Sequence, residues 1–340
     1  MTHDKKSNEI IIKWLTCSMF LIILMIVIGG LTRLTNSGLS ITEWELFTGI
    51  IPPLNENAWD RYFDLYKNIP QYKLINPNMT LSEFKIIFYW EYIHRILGRI
   101  IGLFFLLPLI FFHIFKKIHK KDLIDFYLIL LLIILQGFVG WYMVQSGLVN
   151  DVTVSHYRLS IHLTGAIIIL SMIFWKIKNL RGEKIKNFFI IENKSFPFQV
   201  LIFIVFLQII FGAFVSGLDA GKIYQTWPLM GTNYFPDDLI LKKVFDLVNF
   251  DSHSLVQFYH RNLAYFISLY IFFLALFIYK SKYQKLYRPM FFLLVVLFIQ
   301  IILGILTLIS DLNILIAASH QISSVILVLS SLNLYYLSIK

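Results

Sequence analysis

Four of the nine histidines in this 340-residue chain fall into a repeated pattern. Glu91-Tyr-Ile-His94-Arg95 is echoed 166 residues later by Gln257-Phe-Tyr-His260-Arg261, and His162 is matched by His320 at an offset of 158. Imidazole is the commonest side-chain ligand for a metal, so two pairs point to two bis-histidine sites. The single cysteine, Cys17, excludes an internal disulfide and any Cys-based zinc or iron–sulfur site. Bis-imidazole pairs with no carboxylate cluster beside them suit haem iron better than zinc. The expectation is one haem on His94 with His162 and a second on His260 with His320. Arg95 and Arg261 directly follow a ligand and are candidates for haem propionates, because a guanidinium meets a carboxylate with two parallel bonds. Arg158 and Arg99 are further candidates, with snorkelling towards headgroups as their alternative role. His3, His113 and His119 read as solvated residues, and His156 and His253 as interfacial ones.

These side chains need a scaffold, and the composition says which kind. Only 15% of residues are charged and 58% are apolar, where a soluble protein carries about 25% charge. Disorder, secretion and nucleic-acid binding are poor fits. A helix crossing about 30 Å of hydrocarbon needs roughly 20 apolar residues. Eight segments qualify: Ile10–Leu31, Ile86–Phe112, Leu123–Val144, Thr153–Trp175, Phe198–Leu218, His253–Tyr279, Pro289–Ser310 and Asn313–Leu337. The first is too long for a signal-peptide core and lacks a small-residue cleavage pattern, so it reads as a retained helix. No Arg- and Ser-rich transit peptide precedes it, which favours a bacterial inner membrane. The loops after spans 2, 4 and 6 and the two chain ends, Lys13 included, hold 18 of the 30 Lys and Arg. The other loops hold eight basic residues against 13 acidic ones. The positive-inside rule then puts both termini in the cytoplasm and accounts for the net charge of +10 without a nucleic-acid partner. All four patterned histidines fall on even-numbered spans, about 10–15 Å below the outer end at 1.5 Å per residue.

The pattern extends beyond the histidines. Gln136-x-x-x-Gly140 in span 3 is echoed by Gln300-x-x-x-Gly304 in span 7, and the loops after spans 1 and 5 each carry a tryptophan, Trp44 and Trp227. Ordered matches at nearly one offset indicate duplication. The expected fold is an all-α membrane protein whose eight transmembrane helices form two four-helix bundles, residues 1–180 and 181–340. With four spans each, the halves share an orientation and are related by a pseudo-two-fold along the membrane normal. Small residues below each histidine on its own helix (Gly98 and Gly102, Gly165 and Ala166, Ala264 and Ser268, Ser323 and Ser324) would leave a slot for a flat macrocycle. The symmetry breaks at Glu91, one turn above His94, where the second half has Gln257. A carboxylate deep inside a span is costly unless paired, and is a functional candidate by default. Its structural alternative is an ion pair with Arg95 or another arginine. The functional reading makes the first half a reaction centre and the second a permanent redox site.

These residues resemble the haem A synthase family, in its alphaproteobacterial and mitochondrial-type branch. The resemblance rests on Gly29-Gly30-Leu-Thr-Arg33-Leu-Thr35-Asn-Ser37-Gly38-Leu-Ser40, on Trp44 with Gly49 and Pro52-Pro53, and on Glu91-x-x-His94-Arg95. It continues through Tyr157-Arg158-Leu-x-x-His162-Leu, Gln257-Phe-x-His260-Arg261 and Ser319-His320-Gln321, and so spans nearly the whole chain. The first long loop lacks the cysteine pair that some members carry, so no thiol relay is expected. The resemblance implies oxidation of the C8 methyl group of haem O to a formyl group in two steps, with oxygen from water. It implies haem O as substrate on the first pair of histidines, haem b on the second, and Glu91 as the catalytic carboxylate. It also brings haem O synthase and oxidase assembly factors into view as partners and leaves a homo-oligomer open. The rival readings are a di-haem cytochrome b that only transfers electrons, and a haem carrier or chaperone.

Overall fold

Every regular element among the described residues is helical. The structure, a computed structural model, describes residues 2–44, 48–149, 151–182, 185–189, 194–239 and 243–339. Helices α1 (Thr2–Leu34), α4 (Leu81–Ile114), α5 (Lys120–Gly147), α6 (His156–Arg181), α7 (Phe196–Gly217), α8 (His253–Lys280), α9 (Tyr287–Ile309) and α10 (Ile314–Ser338) form the framework. Two short helices, α2 (Glu56–Lys67) and α3 (Pro70–Leu74), lie in the first long loop. Eight helices among the described residues are long and apolar enough to cross a membrane, and each contains most of one expected span. The protein is therefore an all-helical, multi-pass membrane protein. The chain falls into two compact units, Met1–Ile173 and Phe174–Lys340, with the boundary inside α6.

In the first unit α1 packs along α4, and α4 along α5. The indole of Trp14 on α1 donates to the Phe104 carbonyl at 3.0 Å and packs on Phe105 and Phe112 of α4 and Phe126 of α5. At 34 residues α4 is about 50 Å long, well beyond the hydrocarbon thickness, so part of it is left to carry a loop. A capping box between Thr80 and Glu83 fixes its start. Against this end α2 lays its one apolar face: Trp59, Phe63 and Tyr66 pack on Phe84 and Phe88. Tyr66 is fully buried, and that burial pushes its phenol above the ordinary tyrosine range. Its hydroxyl donates to Gln71 and accepts from Asn76, which ties α2 to α3 and the turn after it.

In the second unit α7 packs on α8 and on α10, and α9 on α10. Trp175, on the part of α6 that belongs here, packs against Tyr335 at a tilt and against Tyr336 edge-on, both of α10. The second long loop, residues 218–252, leaves α7 through Asp219 in the left-handed region (φ 52°). It is held on α8 by Asp238, which accepts from Ser254 at 2.5 Å and Tyr224 at 2.6 Å. Burial alone would raise the Asp238 carboxyl, but the bonds from Ser254 and Tyr224 outweigh it and hold the group below the ordinary aspartate range.

Candidate functional site

The four patterned histidines share one local arrangement. Each imidazole on an even-numbered span faces a glycine on a neighbouring odd-numbered one. A Cβ on Gly29 of α1 would lie 3.1 Å from His94, and one on Gly212 of α7 would lie 3.1 Å from His260. The corresponding distances are 3.3 Å from Gly140 of α5 to His162 and 2.9 Å from Gly304 of α9 to His320. Side chains there would crowd the rings, so the bare helix backbone sets how the imidazoles stand. The His94 and His162 rings come together with centroids 6.5 Å apart and planes at 59°. A metal with nitrogen bonds of about 2 Å on each side fits that separation. His260 and His320 likewise lie near enough to interact.

The donor chemistry fits a haem. Among the described residues no group of three or more His, Cys, Asp or Glu could hold a metal ion. Each pair therefore offers two ligands, as suits a metal whose other ligands come from a macrocycle. Several polar atoms around the histidines are buried without a hydrogen-bond partner: His162 Nδ1, His320 Nδ1, Gln136 Oε1 and Gln208 Oε1. Buried polar atoms are rarely left so, and these cluster where a ligand would lie. Gln208 of α7 points its amide at the His260 ring, 3.1 Å from Nδ1, and Gln300 of α9 approaches His320 Nε2 at 3.4 Å.

Glu91 is nearly inaccessible (3% exposed), and its ion pair with Arg95 is present at 2.7 Å. One carboxylate oxygen accepts from Arg95 Nε at 3.1 Å and Nη2 at 2.7 Å. The other accepts from the Ser40 hydroxyl at 2.8 Å and the Ile41 backbone N–H at 2.9 Å. All four lone-pair directions of the carboxylate are thus used. Arg95 also donates to the Ile41 and Glu43 carbonyls and lies 5.3 Å from the Trp44 ring. The chain reaches this clasp through a tight turn: Asn36 is left-handed (φ 52°), Ser37 N–H bonds the Thr32 carbonyl, and Thr35 and Ser37 share a hydroxyl bond. Leu39 and Ile41, both buried, anchor the segment. The stretch from Gly29 to Ser40 therefore makes room for His94, turns the chain and returns it to Glu91.

The second unit answers the same problem without a carboxylate. Gln257 donates to the Tyr224 carbonyl at 2.9 Å, and Arg261 donates to the Tyr224 and Leu229 carbonyls at 2.9 and 3.2 Å. A guanidinium has five N–H donors. The described residues take four of these from Arg95 and two from Arg261. Arg158 donates to the Tyr142 carbonyl at 2.7 Å and stacks on the Tyr142 ring at 3.7 Å, linking α6 to α5.

His156 is buried at the start of α6 beside Tyr157, and His253 is exposed at the start of α8. Three of the small residues below the histidines are glycines with different surroundings. A Cβ on Gly98 would meet Met25 and one on Gly165 would meet Gln136, while Gly102 faces open space. Sequence reasoning missed Gly29 and Gly212 as histidine neighbours, Gln208 over His260, and the Ser40–Ile41 donors on Glu91. The recurrence of Gln-x-x-x-Gly was a usable signal for Gly140 and Gly304.

Residues 12–332 match the sequence model of COX15-CtaA, described as cytochrome oxidase assembly protein. Among curated relatives, the haem A synthase of Pelagibacter ubique is 51% identical over 323 residues, covering 94% of this chain and 93% of that one. The haem A synthase of Rickettsia canadensis is 43% identical over 333 residues, covering 97% and 98%. The haem A synthase of Rickettsia felis is 42% identical over 326 residues, covering 94% and 95%.

Proposed function

The chain belongs to the COX15-CtaA family of cytochrome oxidase assembly proteins, and on that footing we propose that it is a haem A synthase of a bacterial inner membrane. Its substrate is haem O, whose C8 methyl group it oxidises to a formyl group. Each of two oxidations passes an electron pair from that carbon to an external electron acceptor and releases two protons; overall the carbon gives up two of its three hydrogens and the water that supplies the oxygen gives up both of its own. The observation that carries this reading is the His94–His162 pair, one turn from a buried carboxylate that its counterpart pair lacks.

In this reading His94 and His162 hold the substrate haem, and His260 and His320 hold a haem b. When bound, that haem b supplies one-electron redox chemistry. The two halves, residues 1–180 and 181–340, divide these tasks. Arg261, which gives two of its five donors to described residues, is well suited to a propionate. Arg95 and Arg158 are candidates held in place by their carbonyl partners. Glu91 has no free lone pair in this arrangement, which supports a fixed negative charge beside the carbon being oxidised over a proton acceptor. Acting as a base would require Arg95 or the Ser40–Ile41 segment to let go. Both chain termini face the cytoplasm, so the two long loops lie outside.

Co-expression with a haem O synthase, followed by haem extraction and chromatography, tests the function. Haem A in the extract is the expected result, and haem b alone would replace this reading with that of an electron carrier. Glu91→Gln should keep bound haem and lose haem A. Undiminished haem A in that variant would remove Glu91 from the chemistry.

A further inference from the structure

The two units treat one repeated glutamine differently. Gln136 on α5 and Gln300 on α9 each stand four residues before the glycine that faces a histidine. In the second unit Gln300 Oε1 accepts a hydrogen bond from Ser323, three residues after His320. In the first unit the residue three after His162 is Gly165, which has no hydroxyl to give. The Gln136 amide lies over that glycine so closely that a Cβ would collide with it. Gln136 Oε1 is left buried with no hydrogen-bond partner. Leaving such an acceptor unmatched costs about 1–3 kcal/mol. Gln136 and Gly165 lie one helical turn beyond the Gly140–His162 contact on α5 and α6, so the orphaned oxygen lies about a turn from the His162 imidazole.

We propose that Gln136 Oε1, with Gly165 opposite it, is the subsite for the hydroxyl on the isoprenoid-bearing side chain of the substrate haem. Gln136 is then a specificity-determining residue, by which the His94–His162 site prefers a hydroxyalkyl haem to one carrying a vinyl group. This rests on reading that pair as the substrate site. A hydroxyl supplies the donor that the lone acceptor lacks, whereas a vinyl group leaves it unpaired. Sites built around such a bond reject the analogue that lacks it. The Gln300 acceptor is already satisfied by Ser323 and makes no such demand, which suits a haem without the hydroxyl. Gly165 lets the Gln136 amide lie where a serine side chain would stand.

The test uses full-length protein purified from cells without haem O synthase, titrated with haem O, with haem b, and with haematohaem. Haematohaem carries hydroxyethyl groups in place of vinyls and has no isoprenoid tail, so it separates the hydroxyl from the tail. The wild type should prefer haem O and haematohaem to haem b at the His94–His162 site. Gln136→Leu should lower both preferences by roughly tenfold, as loss of about 1.4 kcal/mol implies. Gly165→Ser, whose side chain displaces the Gln136 amide and offers it the partner that Ser323 gives Gln300, should lower them too. The low-spin spectrum of the second site reports folding, and if Gln136→Leu loses it, Gly165→Ser and Gln136→Met carry the comparison. Preferences equal to wild type in these variants overturn the proposal, as does a wild type that does not favour hydroxyl-bearing haems. If instead His94→Ala changes no haem spectrum, the underlying assignment of the substrate site is what fails.

Discussion

Ser40 shows how much a single hydroxyl can determine. It is buried, and it donates to a carboxylate oxygen whose other donors are one backbone N–H and a guanidinium. A bond to a charged acceptor contributes about 1.5–3 kcal/mol. Ser40→Ala should therefore lower both haem A yield and the thermal midpoint of the purified protein, and Ser40→Thr should restore much of each. An alanine variant indistinguishable from wild type in both measurements would show that Ile41 and Arg95 suffice. At this scale the sequence was only partly legible. The Glu91–Arg95 pair could be anticipated because residues four apart share a helix face. Ser40 lies 51 residues away in a loop, and no periodicity links a loop hydroxyl to a helix carboxylate. The donors that complete the clasp came into view only with the fold.

Helices set the next level of constraint. The glycines opposite the histidines differ in clearance, and the difference predicts an order. A Cβ on Gly304 would stand 2.9 Å from His320, whereas one on Gly140 would stand 3.3 Å from His162. Gly304→Ala should thus perturb the low-spin haem spectrum of its site more than Gly140→Ala perturbs the other, and the reverse order would contradict the geometry. The second long loop makes a different prediction. Asp238 titrates lower in the folded protein than in the unfolded chain. The stability it contributes is whole at neutral pH and is lost as pH falls through its folded value, which lies under the ordinary aspartate range. Hydrogen exchange of residues 224–238, corrected for intrinsic rate, should rise below that pH, and Asp238→Asn should abolish the step. Eight spans were readable because apolar length is written directly in composition. Which face of each odd-numbered span turns to a histidine was not, because helices with little amphipathic asymmetry are oriented by packing.

Across the whole molecule, the recurrence of His, Gly and Gln in both units gives each pair its own surroundings. His320→Ala should remove one low-spin haem signal and leave the other, and loss of both would argue against separate sites. A phosphatase reporter fused after the last helix should be inactive if the carboxyl terminus is cytoplasmic, and activity there would reverse the orientation. The Glu91 clasp has a further consequence, for biogenesis. A charge inside a span is costly to insert unless it is paired. Ser40 and Ile41 are synthesised before α4, and Arg95 follows Glu91 by a single turn. The carboxylate's partners are thus in place or immediately to hand as α4 enters the bilayer. Weakening the turn between Asn36 and Ser40 should therefore lower the amount of protein reaching the membrane, even before any effect on its chemistry.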